Sequence, residues 1–179
     1  MRILPVCLMV LRKAGVSMST NEFASGIEYP HPFDDYAVAL CESASRYICI
    51  LSPQLDHAAF DSSTLVDALS ALARRSRQTQ VRILISDSRP VVGRGHQLLT
   101  LARRLPSTVH IRKLEEHPQW NNETIVIRDR DGVLYKPGGS DHDAFYEPNS
   151  RASTRKPLEL FDELWRFSVE DAELRALHI

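Results

Sequence analysis

Two stretches of the chain carry side chains suited to acid–base or anion chemistry. The first is Ser52-Pro53-Gln54-Leu55-Asp56-His57. The second runs from Ser86-Asp87-Ser88-Arg89-Pro90 to Arg94, Gly95 and His96. A histidine oriented by an aspartate can act as a general base or as a nucleophile toward phosphorus. His96 or His57, oriented by Asp87 or Asp56, would therefore suit a hydrolase acting on a phosphodiester. Arg89 and Arg94, next to the start of a helix, would suit an anion. The same residue types also solvate loops and cap helices, so both roles stay open for Asp56, His57, Asp87, Arg89, Arg94 and His96.

Weaker groupings follow. Asp141, His142, Asp143 and Glu147 offer oxygen and nitrogen ligands near Gly138-Gly139. They lack a regular ligand spacing and also fit a solvated acidic loop. Arg74, Arg75, Arg77, Arg103 and Arg104 make two basic helix ends, which could touch phosphates or simply complement a helix dipole. Trp120 and Tyr135 could stack on a base or pack in a core. Gly-rich phosphate loops, Gly-x-Ser-x-Gly and Walker motifs are missing from the sequence. Neither a cofactor nor a metal is expected.

The elements that must position these residues alternate. Asp34-Asp35 opens a helix over roughly 34–45, with Tyr36, Ala37, Leu40, Cys41 and Ala44 at helical spacing. RYICIL (46–51) reads as a buried strand. Ser62 and Ser63 offer N-caps to a helix carrying Leu65, Val66, Leu69 and Leu72. QVRILIS (80–86) is a second strand, Leu98 to Leu105 a third helix closed by Pro106, and TVHIRKL (108–114) a third strand. TIVIR (124–128) and Val133–Tyr135 flank Asp129-Arg130-Asp131-Gly132, a hairpin signal. A long polar loop follows. Leu158, Phe161, Leu164 and Trp165 then share a helical face, with Pro157 near that helix's start, and Glu170–Leu177 adds a short helix. The order αβαβαβ, hairpin, α predicts an α/β fold: a mostly parallel mixed sheet with helices on both faces.

A chain of 179 residues suits one domain, read as residues 34–179 behind a lead-in over 1–33. The polar stretch 18–33 belongs to that lead-in, and residues 1–17 read as a disordered tail or a mis-called start. The apolar run Ile3–Leu11 is too short to span a bilayer, which takes about 20 residues. A net charge of −1 supplies no global field toward nucleic acid or an anionic membrane, so any such contact needs a local patch. Cys7, Cys41 and Cys49 show no metal-type spacing, and their odd number argues against a disulfide scaffold. A reducing, cytoplasmic setting without membrane association is expected.

ICILSPQLD, VRILISDSRP and the ending LFDELWRFS resemble strands and the closing helix of the phospholipase D-like superfamily. GRGHQLLTLARRLPS, followed by a hairpin and FDELW, resembles an uncharacterised bacterial family of single-half phospholipase D-like domains. The superfamily's catalytic element is His-x-Lys-x4-Asp on a hairpin strand. Histidine attacks phosphorus and lysine holds the phosphate oxygens. The corresponding stretch is Asn122-Glu123-Thr124-Ile125-Val126-Ile127-Arg128-Asp129. Asp129 fits the aspartate, Asn122 replaces the histidine, and Thr124 replaces the lysine. None of the seven histidines is followed by lysine two residues on.

The resemblance implies a phospholipase D-like half with a degenerate active site: a non-catalytic binding or interaction module. It further implies a homodimer, since catalytic members join two halves through their active-site faces. Expected partners are a phosphate-bearing ligand or nucleic acid, or another protein. The alternative is a phosphodiesterase or other hydrolase with rearranged catalytic residues around His96 and Asp87.

Overall fold

The structure, a computed structural model, describes residues 20–175. Cys7 and the readings made on residues 1–17, and the end of the expected tail helix, lie outside the described residues. Seven strands form one sheet in the order β1-β7-β6-β5-β2-β3-β4. In chain order the elements are β1 (Ala24–Ile27), α1 (Phe33–Glu42), β2 (Tyr47–Ser52), α2 (His57–Phe60), α3 (Ser63–Arg75), β3 (Gln80–Ile85), α4 (Arg89–Gly93) and α5 (Gln97–Arg104). They continue with β4 (Val109–Lys113), β5 (Thr124–Arg128), β6 (Gly132–Lys136), β7 (Ala144–Glu147), α6 (Arg151–Phe167) and α7 (Ala172–Arg175). β2, β3 and β4 pair in parallel, and β5, β6, β7 and β1 join antiparallel. No helix among the described residues is long and apolar enough to cross a membrane.

Side chains alternate between the two faces of a strand, and the sheet uses both. Ile48, Ile50, Val81, Ile83, Ile85, Val126 and Leu134 face α1, α3 and α5 in the larger core. Cys49, Leu51, Leu84, Ile125, Ile127 and Val133 face α6, whose Phe161 and Leu164 are fully buried. Each such side chain contributes roughly 1.5–3 kcal/mol when removed from water. The α6 face also holds a cation. The Arg82 guanidinium donates to Asp162 Oδ1 at 2.9 Å and to Cys49 Sγ at 3.3 Å, and lies over the rings of Phe161, Trp165 and Tyr47.

Several boundaries differ from the sequence reading. The first helix ends at Glu42, short of residue 45, because the amides of Ser45, Arg46 and Tyr47 turn away to the Asp129 carboxylate. The lead-in contributes β1, and the long polar loop contributes β7, which pairs with both β1 and β6. The loops after β2 and β3 contain α2 and α4. Ser62, not Ser63, is the N-cap of α3 and accepts from Leu65 N. Pro157 lies inside α6, since the Ser150 hydroxyl caps the helix well upstream. The hairpin register pairs Thr124 with Lys136 and Arg128 with Gly132, so β6 starts at Gly132. A Cβ on Gly132 would press Leu40 Cδ1 at 2.9 Å, so glycine lets α1 lie close over the hairpin.

Candidate functional site

Strand directions bring one set of ends together: the carboxyl ends of β1, β2, β3, β4 and β6 and the amino ends of β5 and β7. Ligands of α/β sheets bind outside the carboxyl ends of the parallel strands. At this edge Lys136 closes β6 with its side chain only 10% exposed. Its Nζ lies 3.0 Å from Asp141 Oδ1 and 4.9 Å from the centre of the Tyr29 ring. Tyr29 follows β1, and its backbone N–H donates to Asp141 O at 2.8 Å. Burial first, then the nearby Asp56 and Asp141 carboxylates, hold the Tyr29 hydroxyl well above the ordinary phenol range. Lys136, Tyr29, Asp56 and Asp141 thus meet at one point from four different segments.

The motif positions separate. Thr124 is buried at the start of β5, directly opposite Lys136. Asn122 precedes it, exposed, with a left-handed φ of 61°. It lines a groove of about 870 Å³ with Ser86, Lys113, Leu114, Glu115, Glu116, His117, Pro118 and Trp120. Asp129 sits at the opposite end of β5. Its carboxylate accepts from Ser45 N at 3.0 Å, Arg46 N at 2.8 Å and Tyr47 N at 2.9 Å, fastening the hairpin turn to the start of β2.

The loop residues are occupied. Asp56 Oδ1 accepts from Ala58 N and caps α2. His57 Nε2 donates to Gly95 O at 2.8 Å. The His96 ring is fully buried and caps α5, Nδ1 accepting from Leu98 N at 3.1 Å. Its Nε2 lies toward the Leu55 backbone without a partner at hydrogen-bond geometry. The two imidazoles pack 4.8 Å apart, and the aspartate beside both is Asp61, at 3.7 Å from His96 and 4.0 Å from His57. Burial, with the charge of His57, lowers the His96 pKa, and Asp61 offsets this in part. Asp87 is taken by Arg89: Oδ1 accepts from Nε at 2.9 Å and Oδ2 from Nη2 at 2.8 Å. These bonds push its carboxyl down to about 2. Arg89 is otherwise in solvent, and Arg94 is exposed.

The structure therefore gathers Asp56 at the Lys136 cluster, and puts His57 and His96 in a separate α2–α5 contact. Among the described residues, the grouping with metal-ligand reach is His31, just before α1, with Asp34 and Asp35 of its first turn, not Asp141, His142, Asp143 and Glu147. Asp141 is paired with Lys136, and Asp143 accepts from Ser140 Oγ. Trp120 Nε1 donates to Glu123 O, and Tyr135 stacks on Phe145. Sequence reasoning missed Lys136, although its signal was present: counting back from a three-residue turn at Asp129–Asp131 pairs position 136 with 124.

The fold is that of the phospholipase D family. The chain superposes on the phospholipase D family member Nuc from Salmonella typhimurium with a TM-score of 0.60 and 17% identity, over 84% of this chain and 99% of that one. It is similar to NucT from Helicobacter pylori, with a TM-score of 0.56 and 14% identity over 84% and 100%. It is also similar to TrmBL2, described as an archaeal chromatin protein with a novel mode of DNA binding, with a TM-score of 0.59 and 14% identity. That match covers 84% of this chain and only 54% of TrmBL2. No curated protein sequence matches significantly. A family profile described as a domain of unknown function, DUF7931, matches residues 29–177, and the chain belongs to that family.

Proposed function

We propose that this domain is a non-catalytic phospholipase D-fold binding module that holds a phosphate-bearing ligand at the carboxyl edge of its sheet, against Lys136. The observation that carries the reading is the pairing of Thr124 with Lys136 across the hairpin. Opposed residues of antiparallel strands project to one face with Cβ atoms about 4.5–5.5 Å apart. An ammonium from 136 therefore serves the neighbourhood that a lysine at 124 would serve. The motif's cation has a replacement, and its nucleophile has none. An asparagine amide nitrogen is not nucleophilic at neutral pH. His96 caps a helix through Nδ1, and its unpartnered Nε2 is fully buried, out of reach of a substrate.

A bound phosphate would displace the exposed Asp141 carboxylate from Lys136, exchanging one charge-assisted contact for another. A second copy closing over this edge would make the homodimer, and a protein partner could cover the same face.

Calorimetric titration with pyrophosphate and with a dinucleotide, beside a phosphodiesterase assay on bis(p-nitrophenyl) phosphate, tests the reading. Saturable binding that weakens at least about tenfold in Lys136→Met, with no turnover above background, is the expected result. That loss corresponds to one charged hydrogen bond. Turnover that vanishes in His96→Ala or Asp87→Ala would restore the rearranged hydrolase. Binding unchanged in Lys136→Met would remove the site.

A further inference from the structure

Charge is segregated in this fold. The carboxyl edge carries Asp56, Asp87, Glu115, Glu116, Glu123 and Asp141, answered by Arg89, which Asp87 pairs, and by Arg94, Lys113 and Lys136. The opposite, amino edge receives the basic last turns of α3 and α5, the turn between β5 and β6, and the start of α6. Cations in the last turn of a helix complement its dipole. The cations of α6 do the reverse. Arg151 stands in the first turn and Arg155 and Lys156 in the second, near the positive end, and no acid offsets them in the first turn. Helix stability does not account for them.

Arg130 reaches the same place from the hairpin turn, and its charge lies beside the Tyr47 hydroxyl. Arg130, Arg151 and Arg155 line a groove of about 380 Å³, with Leu158, Glu159 and Asp162 as its other walls. Both acids are engaged: Asp162 accepts from Arg82 at 2.9 Å, and Glu159 lies 3.9 Å from Arg155. Among the described residues, Arg130, Arg151 and Lys156 have no carboxylate within 4.0 Å. Two of the groove's three arginines, Arg130 and Arg151, therefore carry uncompensated positive charge, with Lys156 nearby on the same helix as Arg151, in a chain whose net charge is −1.

We infer that this amino-edge face is a docking surface for the phosphate backbone of nucleic acid, held by charge and without base readout. Arg151 and Arg155 stand about 6 Å apart along the helix axis, within reach of phosphates one or two nucleotides apart on a strand. Guanidinium groups bind phosphate oxygens in pairs, and hold them better than a point charge does. The surface lies across the sheet from Lys136 and does not depend on the ligand assigned there.

The test is fluorescence anisotropy of the full chain with a labelled 20-base-pair duplex. With about three phosphate contacts, affinity falls roughly 40-fold between 50 and 200 mM salt. The double variant Arg151→Glu/Lys156→Glu loses at least about tenfold in affinity and shows a flatter salt slope. Its thermal midpoint holds or rises, because acids suit a helix start, so lost binding is not lost folding. Arg89→Glu/Arg94→Glu, at the other edge, binds as wild type. The inference is overturned by no binding at 50 mM salt, by binding within twofold in the α6 variant, or by equal losses at the two edges. Light scattering covers one more outcome. Self-association abolished by the α6 variant, without duplex binding, would assign the face to the acidic edge of a second copy and likewise overturn the inference.

Discussion

Asp129 invites the sharpest test, because its resemblance to a motif aspartate and its observed contacts ask different things of it. Its carboxylate accepts three backbone N–H groups, from Ser45, Arg46 and Tyr47, at 2.8–3.0 Å. It ties the hairpin turn to a strand start more than 80 residues away in sequence. In Asp129→Ala, water can reach the two exposed amides, at about 0.5 kcal/mol each. The part-buried Tyr47 amide costs about 1–3 kcal/mol when left without an acceptor. Residue 129 also has a left-handed φ of 49°, which an alanine adopts at a cost of about 1 kcal/mol and an aspartate tolerates better. The expected loss is about 2–5 kcal/mol. Asp129→Asn keeps one carbonyl oxygen for Arg46 and Tyr47 and should lose only about 1 kcal/mol. Asp129→Gly removes the side chain but not the backbone fit, and should fall between the two. Urea unfolding followed by circular dichroism reads these as shifts of the midpoint at constant slope. An alanine variant within 0.5 kcal/mol of wild type, or an asparagine variant as damaged as the alanine one, would refute the anchoring argument.

Two further outcomes follow from other sites. The lowered pKa of His96 means that the unfolded chain, near 6.5, takes up its proton before the folded one does. Stability should therefore fall as pH drops below about 6.5. His96→Asn keeps a capping acceptor without the titration and should flatten that fall, as urea midpoints at pH 7.5 and 5.5 would reveal. Gly138→Ala would drive a Cβ into the Asn121 carbonyl. We expect about 1–3 kcal/mol of destabilisation and weaker ligand binding, read from thermal melts and the pyrophosphate titration; an unchanged melting temperature would contradict the close packing of 138 on 121.

The strands β2, β3 and β5 were legible because their apolar runs are buried on both faces and bounded by turn residues. β1 and β7 were not. Each has four residues, half of them polar or glycine in β1, and their strand character comes from pairing with each other and with β6. The candidate site inherits this limit. Tyr29 and Asp141 meet only because β1 and β7 pair, a contact that local pattern does not encode. Asp87 and Arg89 looked poised for chemistry, yet two residues of separation let them close on each other. His96 looked like a base because histidine is an unusual N-cap, a role that sequence habit assigns to serine, threonine or aspartate.

The guanidinium beneath α6 has one more consequence. An oily helix face can rotate or slide on an oily sheet with small penalties, since apolar contact has no direction. Arg82 removes that freedom. Its bonds to Asp162 and Cys49, and its seat over three rings, are met at one azimuth of α6 only. A step of one residue turns the helix by about 100° and would strand a cation under it without a partner, which is severely penalised. Arg82 thus acts as an index pin. It adds little to how tightly α6 is held, and fixes which way its arginines face the solvent.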